Sequence, residues 1–317
     1  MRASAEPIST KTFVRPSVRP FVKWAGGKRQ LLSQLRRFVP DSFKAYNEPF
    51  LGSGALFFDL WTRGLLDGRA AHLTDSNIDL IGCYAAIRSD VEAVIASLEL
   101  HERAHREDPA AHYYRVRDEL FNPAREAQSS AARCSPELAA MFIYLNRTGF
   151  NGLFRLNSRG AFNVPAGRYV KPTICDGSNL RAVAAALSSS AIDIRQARYE
   201  SVLERARPGD LIYFDPPYAP LSTTARFTAY TADGFSDVDQ RRLQEVACEL
   251  VGRGCHVVIS NSTAPMVGEL YRDARRRGLR AHKVAAKRAI NSDARRRGVV
   301  MEYIISNVRP RAATGQA

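Results

Sequence analysis

Cysteine is scarce in this 317-residue chain, and no two cysteines form a C-x-x-C pair. Scattered single cysteines indicate reduced thiols and argue against a disulfide framework or a zinc site. Three histidines share one polar stretch, but no cysteine or second acidic cluster completes a metal site there. We therefore expect a solvated helix face at the histidines and no bound metal. The residues concerned are Cys83, Cys134, Cys175, Cys248 and Cys255, and His101, His105 and His112.

Long apolar runs are also missing. No stretch of about 18 apolar residues occurs, so the sequence predicts no membrane span. Residues 1–20 are polar and contain proline, without the apolar region of a secretory signal. The hydrophobic content of 45% nevertheless suffices for a full core. These features predict a folded cytoplasmic protein.

Negative charge is under-represented, since 46 Lys and Arg residues face 32 Asp and Glu residues, for a net charge of +14. An enzyme of small metabolites has no need of that excess, whereas a nucleic-acid-binding protein uses it to neutralise phosphates. An anionic membrane is the alternative partner, but no strongly amphipathic basic helix stands out. The charge therefore favours nucleic acid.

Strand-like and helix-like segments alternate along most of the chain, which predicts an α/β fold with a doubly wound, mostly parallel sheet. Residues 92–172 interrupt the alternation and are interpreted as an inserted, mostly helical domain, with a loop at 122–136. Two segments near the end, 281–286 and 299–306, could form an antiparallel strand pair. The predicted division is a flexible tail at 1–18, a catalytic domain at 19–91 and 173–308, the insert at 92–172, and a tail at 309–317.

A glycine-rich turn follows the first predicted strand. Phe50, Gly52 and Gly54 stand before a helix, and Asp75 closes the next strand, where an acid usually bonds a ribose hydroxyl. The third glycine of a dinucleotide-binding G-x-G-x-x-G is replaced by Phe57, so NAD is not favoured. The turn alone is weak evidence, but together with Asp75 it indicates a nucleoside-binding site.

Gly27-Lys28 suggests a phosphate-binding P-loop only at first sight. That motif requires Gly at position 22 and Ser or Thr at position 29, where Val22 and Arg29 stand. ATP hydrolysis is therefore set aside, and the simple interpretation is a tight turn before a helix.

Residues 211–218, LIYFDPPY, describe a buried strand that stops abruptly at its carboxyl end. Proline cannot continue a ladder, and the residue before it is held extended. The stop leaves the Asp215 carboxylate, a carbonyl without a ladder partner and the Tyr218 ring at the edge where open α/β sheets bind ligands. Two acceptors beside a ring suit a flat heterocycle with an amino group. The alternative is a Pro-rich turn with a surface acid.

In this order the motifs resemble the DNA adenine methyltransferases of the Dam type, which are S-adenosylmethionine-dependent N6-adenine enzymes of the D12 class. The resemblance covers most of residues 20–307 and implies a seven-stranded sheet of the class I methyltransferase type. The motifs are FVKWAGGK (21–28), EPFLGSGALF (48–57), TDSN (74–77), YLNRTGFNGLFRLNSRGAFNVPAGRY (144–169), DPPYAPLSTTARFTAY (215–230) and ISN (259–261).

The resemblance implies two groups of catalytic-domain residues. One group would contact S-adenosylmethionine or form the turn against its methionine moiety, and the other would hold a flipped adenine while its amino nitrogen attacks the methyl group directly. Whether Asp215 or water takes the amino proton stays open. The cofactor group is Trp24, Lys28, Phe50, Gly52, Gly54, Asp75 and Asp215, and the catalytic group is Asp215, Pro216, Pro217 and Tyr218.

The resemblance further implies that the insert recognises double-stranded DNA, with GATC as the site. Arg155 could pair bidentately with guanine, and Phe150 could fill the space left by the flipped base. Taken without the family, this stretch is an ordinary turn with a surface arginine. The implied DNA-binding residues are Lys23, Asn146, Phe150, Asn151, Leu153, Arg155, Pro165 and Tyr169.

Several alternatives stay open. The same sheet could serve an RNA or protein-glutamine methyltransferase, or a DNA-binding module without catalysis. The site could differ from GATC, with a partner restriction endonuclease acting on it; no obligate protein partner is evident, and DNA binding would associate the protein with the nucleoid. The basic runs Arg275–Arg277 and Arg295–Arg297 are candidates for phosphate contact, although a solvated face is as good an interpretation of the first.

Overall fold

The computed structural model describes residues 15–24, 28–128, 130–131, 134–221, 235–287 and 299–312. The Gly26-Gly27 turn, most of the loop predicted at 219–235 and the basic run Arg295–Arg297 lie outside these residues, as do positions 1–14 and 313–317 of the predicted tails.

Seven strands form one sheet in the order β3-β2-β1-β4-β5-β7-β6. The first five strands in this order are parallel to one another, and β7 runs antiparallel between β5 and β6. This confirms the doubly wound, mostly parallel sheet and the terminal antiparallel pair. The strands are β1 (Tyr46–Glu48), β2 (Ala71–Asp75), β3 (Ile192–Gln196), β4 (Leu211–Phe214), β5 (His256–Ser262), β6 (Arg280–Lys287) and β7 (Val299–Ser306).

Helices cover both faces of the sheet. They are α1 (Leu32–Leu35), α2 (Ala55–Thr62), α3 (Ile78–Ser89), α4 (Val91–Glu107), α5 (Pro109–Arg115), α6 (Asn122–Glu126), α7 (Pro136–Thr148), α8 (Gly177–Leu187), α9 (Val202–Arg205), α10 (Asp237–Gly252) and α11 (Pro265–Asp273). No helix among the described residues is long and apolar enough to cross a membrane.

Strand β4 shows how the sequence builds the two cores. Leu211 and Tyr213 lie in the core on one face of the sheet, and Ile212 and Phe214 lie in the core on the other. Successive side chains of a strand point to opposite faces, so a strand covered by helices on both sides must be apolar throughout. The four residues are at most 1% exposed.

The helices of the predicted insert pack against one of these cores, which continues through α4, α5 and α7. The loop predicted at 122–136 is wrong for its first residues, because α6 spans Asn122–Glu126. A π-helical turn, Val116–Phe121, runs directly into α6, whose second residue is Pro123.

The fold brings the ends of β1 and β4 together. These strands are parallel neighbours, with Tyr46 opposite Leu211 and Asn47 opposite Ile212. The order 3-2-1-4-5 changes direction between β1 and β4, and ligands bind at such a switch point beyond the carboxyl ends of the strands. The glycine-rich turn after β1 and the Asp215 corner after β4 both lie there.

Candidate active site

The turn after β1 is shaped by two glycines in the left-handed region, Gly52 at φ 48° and Gly54 at φ 65°. A Cβ at Gly52 would lie 2.9 Å from Cδ1 of Trp24, and one at Gly54 would lie 2.9 Å from the hydroxyl of Tyr84. The same hydroxyl donates to the Gly52 carbonyl at 3.1 Å. Both positions therefore require glycine for conformation and for space.

Asp75, at the end of β2, holds this turn. Its Oδ2 accepts from the Gly52 N–H and its Oδ1 from the Asn77 N–H, both at 2.9 Å. Burial raises the pKa of Asp75, and the backbone donors of Asn77 and Gly52 oppose that shift. The structure thus brings together Trp24, Gly52 and Asp75, three of the residues implied for the cofactor.

Phe50 lies in an aromatic cluster beside the turn. Its ring stacks on Tyr199 at 5.1 Å between centroids and meets the edges of Phe214 and Phe235 at 6.3 and 5.7 Å. The cluster gives the edge of the sheet an apolar wall between the ends of β1 and β4.

Asp215 follows β4 and interacts with two donors through one oxygen. Lys28 Nζ lies 2.8 Å from Oδ1, and the Ser260 hydroxyl donates to Oδ1 at 2.7 Å. Tyr213 and Ser260 share a further hydroxyl hydrogen bond at 3.1 Å. Burial raises the pKa of Asp215, while Lys28 and Ser260 act in the opposite direction.

Tyr218 is fixed at both of its ends. Lys28 Nζ lies 4.2 Å from the ring centroid, and the phenol donates to Glu302 Oε2 at 2.9 Å. Burial, followed by the charges of Asp215 and Glu302, raises the pKa of Tyr218. The phenol therefore stays protonated and serves as a donor, and its ring keeps one orientation.

The backbone of the corner is held by side chains from behind. Gln240 Nε2 donates to the Pro217 carbonyl at 3.0 Å, and Asn261 Oδ1 accepts from the Ala219 N–H at 3.1 Å. Asn261 Nδ2 also donates to Gln240 Oε1 at 2.9 Å, so the two amides support each other. Within the described part of the chain, the Pro216 carbonyl accepts no hydrogen bond from the protein.

Sequence reasoning missed Gln240 and Glu302, and it assigned no role to Glu48. Glu48 ends β1, is 2% exposed and accepts from the Tyr46 hydroxyl at 2.8 Å. Burial raises the pKa of Glu48 well above its ordinary value, aided by the charge of Asp215. Glu48 lies in the motif EPFLGSGALF and Asn261 in the motif ISN, so their positions could have indicated a role. Nothing in the local sequence distinguishes Gln240 or Glu302.

Residues 149–167, here called the exposed hairpin, follow α7. The Phe150 N–H donates to the Pro165 carbonyl at 2.9 Å, and the Gly167 N–H to the Thr148 carbonyl at 2.8 Å. Asn151 occupies the left-handed region at φ 54°, which asparagine tolerates. Of the predicted DNA-binding residues, Phe150, Asn151, Arg155, Pro165 and Tyr169 are exposed here.

Two other predicted DNA-binding residues are used inside the protein. Asn146 is 3% exposed, accepts from the Lys23 N–H at 2.7 Å and donates to the carbonyls of Lys23 and Gly152 at 2.7 and 3.0 Å. A direct DNA contact by Asn146 would break these bonds. Leu153 is half-buried against the core. Lys23 is half-buried, and its Nζ donates to the Arg147 carbonyl at 3.5 Å and lies 3.9 Å from the centre of the Tyr169 ring.

Trp24 joins the glycine-rich turn after β1 to the exposed hairpin. Its ring stacks on Phe154 at 5.9 Å with an interplanar angle of 26°, while its Cδ1 lies beside Gly52. A single side chain thus contacts both predicted binding regions.

The three histidines of the insert do not form the solvated face that the sequence predicted. They are half-buried around Tyr144: His101 Nδ1 lies 3.2 Å from His112 Nε2, and His105 Nδ1 lies 2.9 Å from the Tyr144 hydroxyl. Burial lowers the pKa of His101 to about 4 and lowers those of His105 and His112. The described residues contain no group of three His, Cys, Asp or Glu arranged for a metal.

The basic run Arg275–Arg277 lies on a short 3-10 helix, Ala274–Arg277, and its three side chains are exposed. Its contact with phosphate stays a prediction.

The chain matches the family model of the D12 class N6 adenine-specific DNA methyltransferases over residues 24–290. It belongs to this family. The resemblance inferred from the motifs is thereby confirmed: the protein is an adenine-specific DNA methyltransferase, and the class I methyltransferase fold agrees with the observed strand order.

Curated relatives of this D12 methyltransferase align over nearly their whole length. The type II methyltransferase M1.LlaDCHI of Lactococcus lactis subsp. cremoris is 38% identical over 92% of this chain and 96% of its own. The type II methyltransferase M.MjaIII of Methanocaldococcus jannaschii is 38% identical over 92% and 99%. The DNA adenine methylase of Escherichia coli strain K12 is 36% identical over 90% and 94%.

Proposed function

We propose that this D12 methyltransferase transfers a methyl group from S-adenosylmethionine to N6 of an adenine flipped out of duplex DNA, within GATC. The observation that carries the proposal is the meeting of two sites at one edge of the sheet. The Gly52–Asp75 turn suits a nucleoside cofactor, and the Asp215–Tyr218 corner beside it offers two acceptors and a ring.

The residues present fit S-adenosylmethionine. Gly52 and Gly54 leave a turn without side chains, and the Asp75 carboxylate, oriented by the backbone donors of Gly52 and Asn77, would accept from a ribose hydroxyl. Trp24 and Phe50 add apolar walls on either side of the turn. When bound, S-adenosylmethionine supplies an electrophilic methyl group on a sulfonium.

The Asp215 corner would bind the amino group of the target base. Ser260 and Lys28 both use Asp215 Oδ1, so Oδ2 is the oxygen we assign to one amino hydrogen, and the Pro216 carbonyl is assigned to the other. Two acceptors in fixed positions would hold both amino hydrogens. The nitrogen lone pair is then available for attack, which strengthens the nitrogen as a nucleophile. Tyr218, fixed by Glu302, would stack on the base.

The N6 nitrogen loses one proton as it gains the methyl group. Asp215 can accept that proton, or the proton can leave to water, and the pair formed with Lys28 favours the ionised carboxylate. Since the amino group of a stacked adenine cannot reach this corner, the base must first leave the duplex. Phe150, 47% exposed at the start of the exposed hairpin, suits a wedge in the vacated space.

Recognition of GATC is assigned to the exposed hairpin and Lys23. Arg155 is exposed, and its Nε donates to Asn163 Oδ1 at 2.9 Å, which leaves both terminal nitrogens for O6 and N7 of a guanine. Pro165 and Tyr169 lie on the same exposed segment and would contact thymine or backbone. The net charge of +14 supplies attraction for DNA phosphates.

The second candidate keeps the chemistry and changes the context. Two of the relatives are named type II methyltransferases, which favours a restriction-modification role in which a partner endonuclease acts on the same site, GATC or another. In both cases the substrate would place the enzyme in the cytoplasm, at the nucleoid.

One experiment tests base, position and site together. DNA lacking methylation is incubated with the protein and S-adenosylmethionine, then sequenced with detection of modified bases. We expect N6-methyladenine at GATC. Methylation of adenine in another sequence would overturn the site and leave the chemistry standing, whereas methylated RNA with unmodified DNA would overturn the substrate.

A further inference from the structure

The returning strand of the exposed hairpin, residues 160–164, pairs with side chains of the preceding helices. Asn122 forms two bonds with Phe162: Phe162 N–H donates to Oδ1 at 2.8 Å, and Nδ2 donates to the Phe162 carbonyl at 3.1 Å. The Val164 carbonyl accepts from the Tyr113 hydroxyl at 3.0 Å and from Arg117 Nη1 at 3.2 Å. The Gly160 carbonyl accepts from Arg125 Nη1.

These contacts fall on every second residue, Gly160, Phe162 and Val164, as a neighbouring strand's contacts would. The side chains of α5, the π-helical turn and α6 thus replace a strand along one edge of the hairpin. Phe162 and Val164 are buried, at 3% and 1% exposure, so their side chains form the face of the strand that packs against the protein.

The residue between them, Asn163, orients the arginine proposed to contact guanine. Asn163 N–H donates to the Arg155 carbonyl at 3.2 Å, and Asn163 Oδ1 accepts from Arg155 Nε at 2.9 Å. The direction of the Arg155 guanidinium therefore depends on where Phe162 and Val164 hold Asn163. A bidentate contact tolerates little misplacement, since both bonds must align at once.

Arg125 also anchors the hairpin to the catalytic domain. Its Nε donates at 2.8 Å to Asp79 Oδ2, and Asp79 lies in the first turn of α3 with its side chain 3% exposed. That helix begins just after Asn77, whose N–H binds Asp75. One guanidinium therefore joins the tip of the hairpin to the edge of the sheet that carries the cofactor turn.

We propose that Asn122 and Arg125 are positioning residues that set the site discrimination of this methyltransferase without touching DNA. They hold the hairpin in the register in which Asn163 directs Arg155 outward. The inference rests on the proposed function in one respect, the assignment of base recognition to Arg155.

The test uses Asn122→Asp and Arg125→Lys in the full chain. Asn122→Asp keeps the acceptor for Phe162 N–H but places an oxygen against the Phe162 carbonyl. Arg125→Lys keeps a cation for Asp79 and loses the second branch that reaches Gly160. Arg106→Lys, which alters an exposed pair with Glu102 on α4, is the matched control.

Single-turnover methylation is measured on two duplexes, one with the preferred site and one in which a single base pair of that site is changed. The changed base pair is the one at which Arg155→Ala reduces discrimination. We expect both variants to lose about fivefold or more of the rate ratio between the duplexes, because the bidentate contact to guanine is misaligned. The rate on the preferred site changes less, S-adenosylmethionine affinity is kept, and Arg106→Lys behaves as wild type.

Unchanged discrimination in both variants would overturn the positioning role. So would an equal loss of rate on both duplexes, which is the signature of general damage to the fold. If Asn122→Asp also weakens cofactor binding, Arg125→Lys decides. Wild-type protein that methylates adenine without any site preference would instead sink the proposed recognition by Arg155 and, with it, this inference.

Discussion

Lys28 Nζ lies 2.8 Å from Asp215 Oδ1 and 4.2 Å from the centre of the Tyr218 ring. One ammonium thus neutralises the carboxylate proposed to bind the target amino group and covers the ring proposed to stack on the base. Lys28 is 6% exposed, so the ion pair lies largely out of water, where such interactions are strong. Lys28 and Asp215 are 187 positions apart in sequence, and the fold brings them together at this corner.

Replacing Asp215 with Ala should abolish methyl transfer while the fold survives. The substitution removes an acceptor aimed at the reacting nitrogen, and loss of one such preorganised group costs about 100-fold or more in rate. Methylation is measured by transfer of labelled methyl to DNA, and folding by thermal unfolding. The control is Asp41→Ala, which removes an exposed acid outside the proposed site. Near-normal turnover would contradict the proposed role.

Lys28→Met should move the acidic limb of the pH–rate profile upward. Burial already raises the pKa of Asp215, and Lys28 is the largest opposing influence, so removing the cation raises that pKa further. Because the carboxylate must be ionised to accept the amino hydrogen, activity falls as pH drops through this pKa, and in the variant the fall begins at a higher pH. The profile of kcat/KM between pH 5 and 9 gives the measurement. An acidic limb at the same pH in the variant and in wild type would mean that Lys28 does not control the ionisation of Asp215.

Gly52→Ala should weaken cofactor binding more than it destabilises the protein. A left-handed residue with a Cβ costs about 1–2 kcal/mol, and the new Cβ would also displace Trp24, 2.9 Å away. Gly68→Ala is the control, since Gly68 has a similar φ of 69° and nothing within 4 Å of its added Cβ. Binding of S-adenosylmethionine is followed by Trp24 fluorescence in a Trp61→Phe background. Equal affinity in both alanine variants would contradict the proposed role of the Gly52 turn in cofactor binding.

Arg155→Ala should reduce discrimination at one base pair by about 1–3 kcal/mol. Arg159→Ala, four residues away at the exposed tip of the same hairpin, should weaken binding to all duplexes alike and lower the salt dependence, as a phosphate contact does. Competition between single-base variants of the site, repeated at two salt concentrations, distinguishes the two effects. Discrimination preserved in Arg155→Ala would remove this residue from base recognition.

Glu48→Gln should stabilise the protein relative to wild type as pH rises. The pKa of Glu48 is well above its unfolded value of 4.5, so the folded state binds more protons than the unfolded state between the two pKa values. Wild-type stability from this group is complete below pH 4.5 and is lost as pH rises through the folded pKa. Glutamine retains an acceptor for Tyr46 and has nothing to titrate.

Urea unfolding at pH 5 and pH 8 gives the comparison for Glu48, and the difference between variant and wild type isolates this residue from other titrating groups. The free energy of unfolding of the variant, relative to that of wild type, should increase from pH 5 to pH 8. A constant difference would mean that Glu48 does not titrate in this range.

The sequence alone determined the sheet and the family, and it located the two corners proposed to bind ligands. Alternating apolar runs and helical segments fixed the layer order, because a strand buried on both faces must be apolar throughout. Glycines at 52 and 54 marked a left-handed turn that other residues rarely adopt, and prolines at 216 and 217 marked the point where the strand cannot continue. Such signals are local, and the residue type itself carries them.

Only the tertiary structure decided which side chains support those corners. Gln240, Glu302 and Asn122 are polar residues on a helix, a strand and a helix, with no local mark of function, yet each binds a backbone or side chain far away in sequence. The same holds for the histidines around Tyr144, where burial replaced the expected solvation. A buried polar group must find its partner in three dimensions, and sequence spacing does not reveal that partner.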